Sequence, residues 1–308
     1  MLADLMAMPP PQEAAPSAKK QLPDSLPLWM VAIYIGLFVI RPWEQLFPWL
    51  GTVRFEFLYA LVAIVVATIS RKTKMPGISL QSVAVFGFFA ALALSAVLGI
   101  DPSASWTPLY QYFTQIVCFC LLLMCIRSYR DLQFILAAYI GSMLLYLAKS
   151  QWEFFVHGQH RYDMGVTRLV GIENTFGGPN SLAMSIVASM PFWFYLWKTR
   201  KDALWFNTSR YSRLYRNALL AYLVLAISST VLTNSRSGML AMMLFVLLTV
   251  IGGKGFKAKV LFPVGGILFL MLVWAVMPEE NRSRLRTVWD PESGPANAEA
   301  SAQGRIDG

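Results

Sequence analysis

Residues 217–253 read NALLAYLVLAISSTVLTNSRSGMLAMMLFVLLTVIGG. Two apolar runs, 217–233 and 238–253, are joined only by Asn234-Ser235-Arg236-Ser237. Neither run contains a charged residue. A hydrocarbon core ~30 Å thick asks for about 20 residues of helix, and each run comes near that length. So short a link turns the chain straight back, so the pair reads as a membrane helical hairpin with a tight tip. The second run, about 16 residues at 1.5 Å each, covers ~24 Å. That draws the tip, and Arg236 with it, down into the headgroup layer. An arginine at that depth is costly without an anionic partner.

Working outward, the same pattern recurs. Further apolar runs lie near residues 28–47, 55–70, 82–100, 110–126, 132–148, 181–197 and 260–277, separated by polar links. Assigning alternate links to opposite sides of a bilayer sorts the charge. Sixteen of the 26 Lys and Arg fall on the side of Lys19, Lys72, Arg127, Lys198, Arg213 and Lys257, with only five of the 17 acids. That side nets +11 and the other −2. Positive links stay in the cytoplasm. The expected fold is an all-α, polytopic integral membrane bundle of about nine transmembrane helices, with its N-terminus inside.

Composition agrees. The 308 residues are 56% hydrophobic and 14% charged, too apolar for an ordinary soluble domain. Trp43, Trp49, Trp106, Trp152, Trp193 and Trp197 stand at or near run ends, where an interfacial belt belongs. The net charge of +9 is accounted for by the topogenic links, so it does not argue for nucleic acid. Membrane lipids are the expected surroundings. Cys118, Cys120 and Cys125 share one apolar run, without zinc-ligand spacing, and read as small core residues. Residues 1–25, rich in Pro and Ala, read as a disordered cytoplasmic tail.

Unusual chemistry gathers on the outer side. Of its ten basic residues, nine are Arg (41, 54, 161, 168, 236, 282, 284, 286 and 305) and one is Lys149. Arginine's planar fork grips phosphate at two points, which lysine does not. The set suggests an extracytoplasmic phosphate or pyrophosphate site. The alternative for any single one is pairing with an acid or snorkelling to headgroups. Gly177-Gly178-Pro179-Asn180-Ser181 opens the sixth run with turn residues and an Asn/Ser cap, placing a positive helix end on that face. His157 and His160, in the outer loop 148–180, are the only histidines. No Ser, Cys or Asp stands at a triad spacing, so they read as loop residues. No Asp, Glu, Lys, Arg or His sits mid-run, which weighs against an ion-coupled transporter.

Three motifs in this order and sidedness resemble the O-antigen ligase and polysaccharide polymerase family. They are Asn174-Thr175-Phe176-Gly177-Gly178-Pro179-Asn180-Ser181-Leu182-Ala183, Thr233-Asn234-Ser235-Arg236-Ser237-Gly238, and Arg286-Thr287-Val288-Trp289-Asp290 running on to Ser301-Ala302-Gln303-Gly304-Arg305-Ile306. The resemblance covers roughly residues 161–308, an O-antigen ligase-like region ending inside a large periplasmic loop. Residues 26–160 match only as N-terminal membrane helices.

The resemblance implies a bacterial inner-membrane glycosyltransferase of about twelve helices, of which this chain would be a C-terminally truncated member. It implies transfer of a glycan from undecaprenyl pyrophosphate to an acceptor on the periplasmic face, lipid A core for a ligase or another lipid-linked repeat for a polymerase. No cofactor, metal or nucleotide is implied at that step. Arg236 and Arg305 would hold the donor pyrophosphate, with Ser235, Ser237, Asn180 and Arg286 in support. The catalytic histidine is expected beyond Gly308. A lipid-linked glycan transporter is the alternative of another class.

Overall fold

The structure, a computed structural model, describes residues 23–43, 47–53, 55–73, 77, 79–99, 102–163, 166–172, 176–201, 209–252 and 282. They are mostly helical. The helices are α1 (Leu26–Ile40), α2 (Pro48–Thr52), α3 (Phe55–Ile69), α4 (Leu80–Leu98), α5 (Pro102–Cys125), α6 (Tyr129–Val156), α7 (Pro179–Thr199), α8 (Ser209–Leu232) and α9 (Arg236–Ile251). Between α6 and α7 lies one antiparallel ribbon, β1 (Arg161–Asp163) and β2 (Val166–Arg168).

Among the described residues, four helices are long and apolar enough to cross a membrane: Leu80–Leu98, Ala104–Cys125, Tyr129–Val156 and Arg210–Leu232. Leu26–Ile40, Phe55–Ile69 and Arg236–Thr249 are apolar but shorter. The chain therefore has the helices of a membrane protein. The ninth apolar run, 260–277, lies outside the described residues, as do residues 1–22 of the N-terminal tail.

Side-chain pairings give the helix directions. Trp29 meets Phe134 with ring centroids 4.6 Å apart, and one turn-pair further on Gly36 faces Ser142, so α1 and α6 run parallel. Tyr59 Oη donates to the Met30 carbonyl at 3.0 Å, and Lys72 Nζ pairs with Asp24 Oδ2 at 2.8 Å, so α3 returns antiparallel to α1. Phe88 against Tyr112 makes α4 and α5 an antiparallel hairpin. Trp193 Nε1 donates to the Leu219 carbonyl at 2.8 Å, and Ser189 Oγ bonds Tyr222 Oη, which sets α7 antiparallel to α8. Arg71, Lys72, Arg127, Arg130, Lys198, Arg200 and Arg210 consequently lie at one end of the helices. Lys149, Arg161, Arg168 and Arg236 lie at the other. Among the described residues, these cations of the two sequence sets thus stand at opposite ends of the bundle.

Two apolar clusters fill the interior. One joins α1, α3, α5 and the start of α6 around Leu28, Val31, Ala63, Leu121 and Ile135. The other joins α6, α7 and α8 around Met143, Leu147, Leu182, Ile186 and Tyr222. Helix α1 borders both, contributing Val31 to the first and Val39 to the second.

Element ends depart from the hydropathy runs for local reasons. Helix α6 begins at a capping box: the Ser128 side chain accepts from Asp131 N, and the Asp131 carboxylate accepts from Ser128 N. It then continues beyond residue 148 to Val156, through Lys149, Gln151 and Glu153. Glu153 supports that extension by bonding His157 Nδ1 at 2.6 Å, one turn ahead. Helix α1 stops at Ile40 because Arg41 turns left-handed, with φ 44°, and its N–H closes on the Leu37 carbonyl. Among the described residues the all-α reading holds, with one short ribbon added within the outer loop 148–180.

Candidate functional site

The ribbon docks onto the tip of the α8–α9 hairpin, and backbone geometry explains how. Helix α8 ends with Asn234 in the left-handed region at φ 50°, a conformation that asparagine tolerates better than most residues. This turns the last carbonyls of α8 sideways. Thr167-Arg168-Leu169 runs along them. Leu169 N–H donates to the Leu232 carbonyl at 2.8 Å, and Asn234 Nδ2 donates to the Thr167 carbonyl at 2.9 Å.

Arg168 lies between these two bonds and is only 4% exposed. Its Nε donates to the Thr233 carbonyl at 2.9 Å, and its Nη2 donates to Asn180 Oδ1 at 2.7 Å. The guanidinium therefore bridges the negative, C-terminal end of α8 and the first turn of α7, where its charge suits the α8 dipole. Arg161 is the direct cross-strand partner of Arg168, so both side chains leave one face of the ribbon. Arg161 Nη1 comes close to Gly178, where an added Cβ would stand 3.7 Å from it. Two like charges opposite one another are unfavourable, and the acceptors around Arg168 offset that cost.

On the other side of the tip, Ser235 caps α9. It is fully buried, and its Oγ accepts from Gly238 N–H at 3.2 Å. Its hydroxyl also lies 3.2 Å from Ser237 Oγ. Arg236 is the first residue of α9 and is half-buried, while Ser237 and Asn180 are exposed.

Helices α7 and α9 start side by side and run parallel. A Cβ on Gly238 would stand 2.5 Å from Ala183 Cβ, so only glycine allows this approach. The helices' positive ends are therefore neighbours. Each helix start carries roughly half a unit of positive charge and unpaired amide donors. Gly177, left-handed at φ 60°, and Gly178 lead into α7 without bulk, and Pro179 occupies its first position.

Of the residues expected to act together, Asn180, Ser235, Arg236 and Ser237 are all placed at this end of the bundle. Arg286 and Arg305 lie outside the described residues. His157 caps the end of α6 and pairs with Glu153, and His160 packs its ring edge-on to Phe154. Among the described residues no group of three or more His, Cys, Asp or Glu side chains stands together. Arg168 is the residue that the sequence did not single out. It counted as one of nine outer arginines, and only its position opposite the hairpin tip sets it apart.

No family model, curated protein or solved structure matches the chain.

Proposed function

We propose that this chain is part of a bacterial inner-membrane glycosyltransferase of the O-antigen ligase type. The bundle end carrying Arg168, Asn180 and Arg236 would face the periplasm. The donor is a glycan on undecaprenyl pyrophosphate, and the acceptor is lipid A core or another glycan. An acceptor hydroxyl attacks the anomeric carbon and gives its proton to a base, the histidine expected beyond Gly308, while the bond from that carbon to the pyrophosphate oxygen breaks and lipid pyrophosphate leaves. A polymerase would use the same donor and differ in its acceptor.

One observation carries the reading. Two parallel helix starts are packed tightly enough to exclude any side chain at position 238, and an arginine opens the second of them. Paired helix N-termini suit an anion, and an arginine at the first position of one of them suits a diphosphate that gains charge as it leaves. Preorganised donors of this kind contribute about 3 kcal/mol each to a transition state, on the order of a hundredfold in rate.

The test is Arg236→Lys, introduced into the native gene. Charge is kept and the fork is lost, so glycan transfer falls by about a hundredfold. Surface-polysaccharide profiling reads the result. Near-normal transfer by that strain overturns the assignment. Deletion of the gene separates the acceptors: polymer accumulating on its carrier identifies a ligase, and a single repeat on the core identifies a polymerase.

A further inference from the structure

The outer arginines do not all have the same task, and burial separates them. Arg168 is enclosed, and two of its nitrogens are engaged by the Thr233 carbonyl and Asn180 Oδ1. Both acceptors belong to the elements that form the paired helix starts. Asn180 is in the first turn of α7. Thr233 is the residue before Asn234, whose left-handed turn aims the chain into Ser235 and Arg236. One planar group thus spans the two parts whose relative placement defines the anion site.

We propose that Arg168 is a positioning residue: it holds the hairpin tip against the start of α7 and so fixes Arg236 and the two helix ends in register, without itself contacting the ligand. This rests on the reading of that end as a pyrophosphate site. The flanking bonds, Leu169 to Leu232 and Asn234 to Thr167, make Thr167-Arg168-Leu169 a short strap, and Arg168 is its only link to α7 among them. Asn180 acts here as the acceptor that Arg168 requires. It is exposed, so changing it tests the strap without opening the interior.

The chemistry of Asn180 separates positioning from direct binding. If Asn180 only accepts from Arg168, a carboxylate serves at least as well. If Asn180 touches the pyrophosphate, a carboxylate repels it. The experiment uses the full chain in lipid nanodiscs, titrated with farnesyl pyrophosphate. A spin label at Ser237→Cys, in a background with Cys118, Cys120 and Cys125 replaced by alanine, reports the freedom of the tip.

Arg168→Gln and Asn180→Leu are expected to weaken binding by about tenfold, the size of one lost charge-assisted hydrogen bond. Asn180→Asp should stay within about threefold of wild type. Without ligand, Arg168→Gln should loosen the label and Asn180→Asp should not. Loss in Asn180→Asp equal to that in Asn180→Leu overturns the inference, as does wild-type binding in Arg168→Gln. If wild type itself fails to bind, the pyrophosphate reading falls. The strap is then judged by the label alone, and unchanged mobility in Arg168→Gln removes it too.

Discussion

The α4–α5 hairpin and the α7–α8–α9 group are built from similar apolar sequence and held together differently. In α4 only Ser82 and Ala96 are buried, and rings meet across its contact with α5, Phe88 and Phe89 against Tyr112 and Phe113. The α7–α9 group is fastened by directional bonds: Ser189 to Tyr222, Trp193 to the Leu219 carbonyl, and Arg168 to both Thr233 and Asn180. Gln151 of α6 adds bonds to Ser228 Oγ at 2.6 Å and Ser229 Oγ at 2.8 Å. Among lipid tails, apolar surface gives little drive for helices to associate, so close packing and hydrogen bonds set which helix meets which. Directional bonds are concentrated where the candidate site needs a fixed geometry, whereas α4 and α5 meet through aromatic rings.

Substitution at the tightest contact should give the largest effect. Gly238→Leu places a branched side chain where even a methyl would overlap Ala183. Parting α7 from α9 should cost about 3 kcal/mol, or roughly 6–12 °C in melting temperature measured by tryptophan fluorescence in detergent. An unchanged melting point would mean that the two helix starts are not in contact.

A second test puts the two regions side by side. Gln151→Leu removes the bonds from α6 to α8. Ser228 keeps its bond to the Val224 carbonyl, so the loss should be about 0.6 kcal/mol, near 2 °C. Leu94→Ala on α4, where the leucine is 61% exposed, should leave the melting point unchanged. A larger fall for Leu94→Ala than for Gln151→Leu would reverse the contrast.

The smallest effect belongs to the opposite end. Lys72 holds the Asp24 carboxyl below its ordinary range, by hydrogen bond and by charge. The native value is the lower one, so the pair's contribution is complete above the ordinary carboxylate range and disappears as pH falls through the depressed value. Both side chains are exposed, so Asp24→Asn should shift the melting point by less than about 1 °C at pH 7. The difference should vanish in acid and shrink with salt.

Hydropathy made α8 and α9 legible, because their runs end at Thr233 and resume at Gly238 with nothing ambiguous between. It misjudged α6, where Lys149, Gln151 and Glu153 look like the start of a loop. Those residues stay helical because Gln151 finds serines on α8 and Glu153 finds His157, and the first of these partnerships lies far along the sequence. Asn180, Ser235, Arg236 and Ser237 could be placed on one face from alternation alone. Arg168 could not be picked out. Its partners are a backbone carbonyl, which has no sequence signature, and an asparagine read as a helix cap, a position that Gly178 takes instead, without a side-chain bond. Ser235 carries the opposite lesson. A serine beside an arginine suggested a ligand contact, and its hydroxyl is engaged in capping α9.

The strap also constrains how the chain is assembled during synthesis. Arg168 emerges from the ribosome 65 residues before Thr233, the carbonyl it will bind. At about 5–20 residues per second, that is an interval of roughly 3–13 s. Until α8 has been inserted, Thr167-Arg168-Leu169 has nothing to lie against, and the guanidinium must stay hydrated. Closure of this end of the molecule therefore comes late, after the whole of α8 has been synthesised.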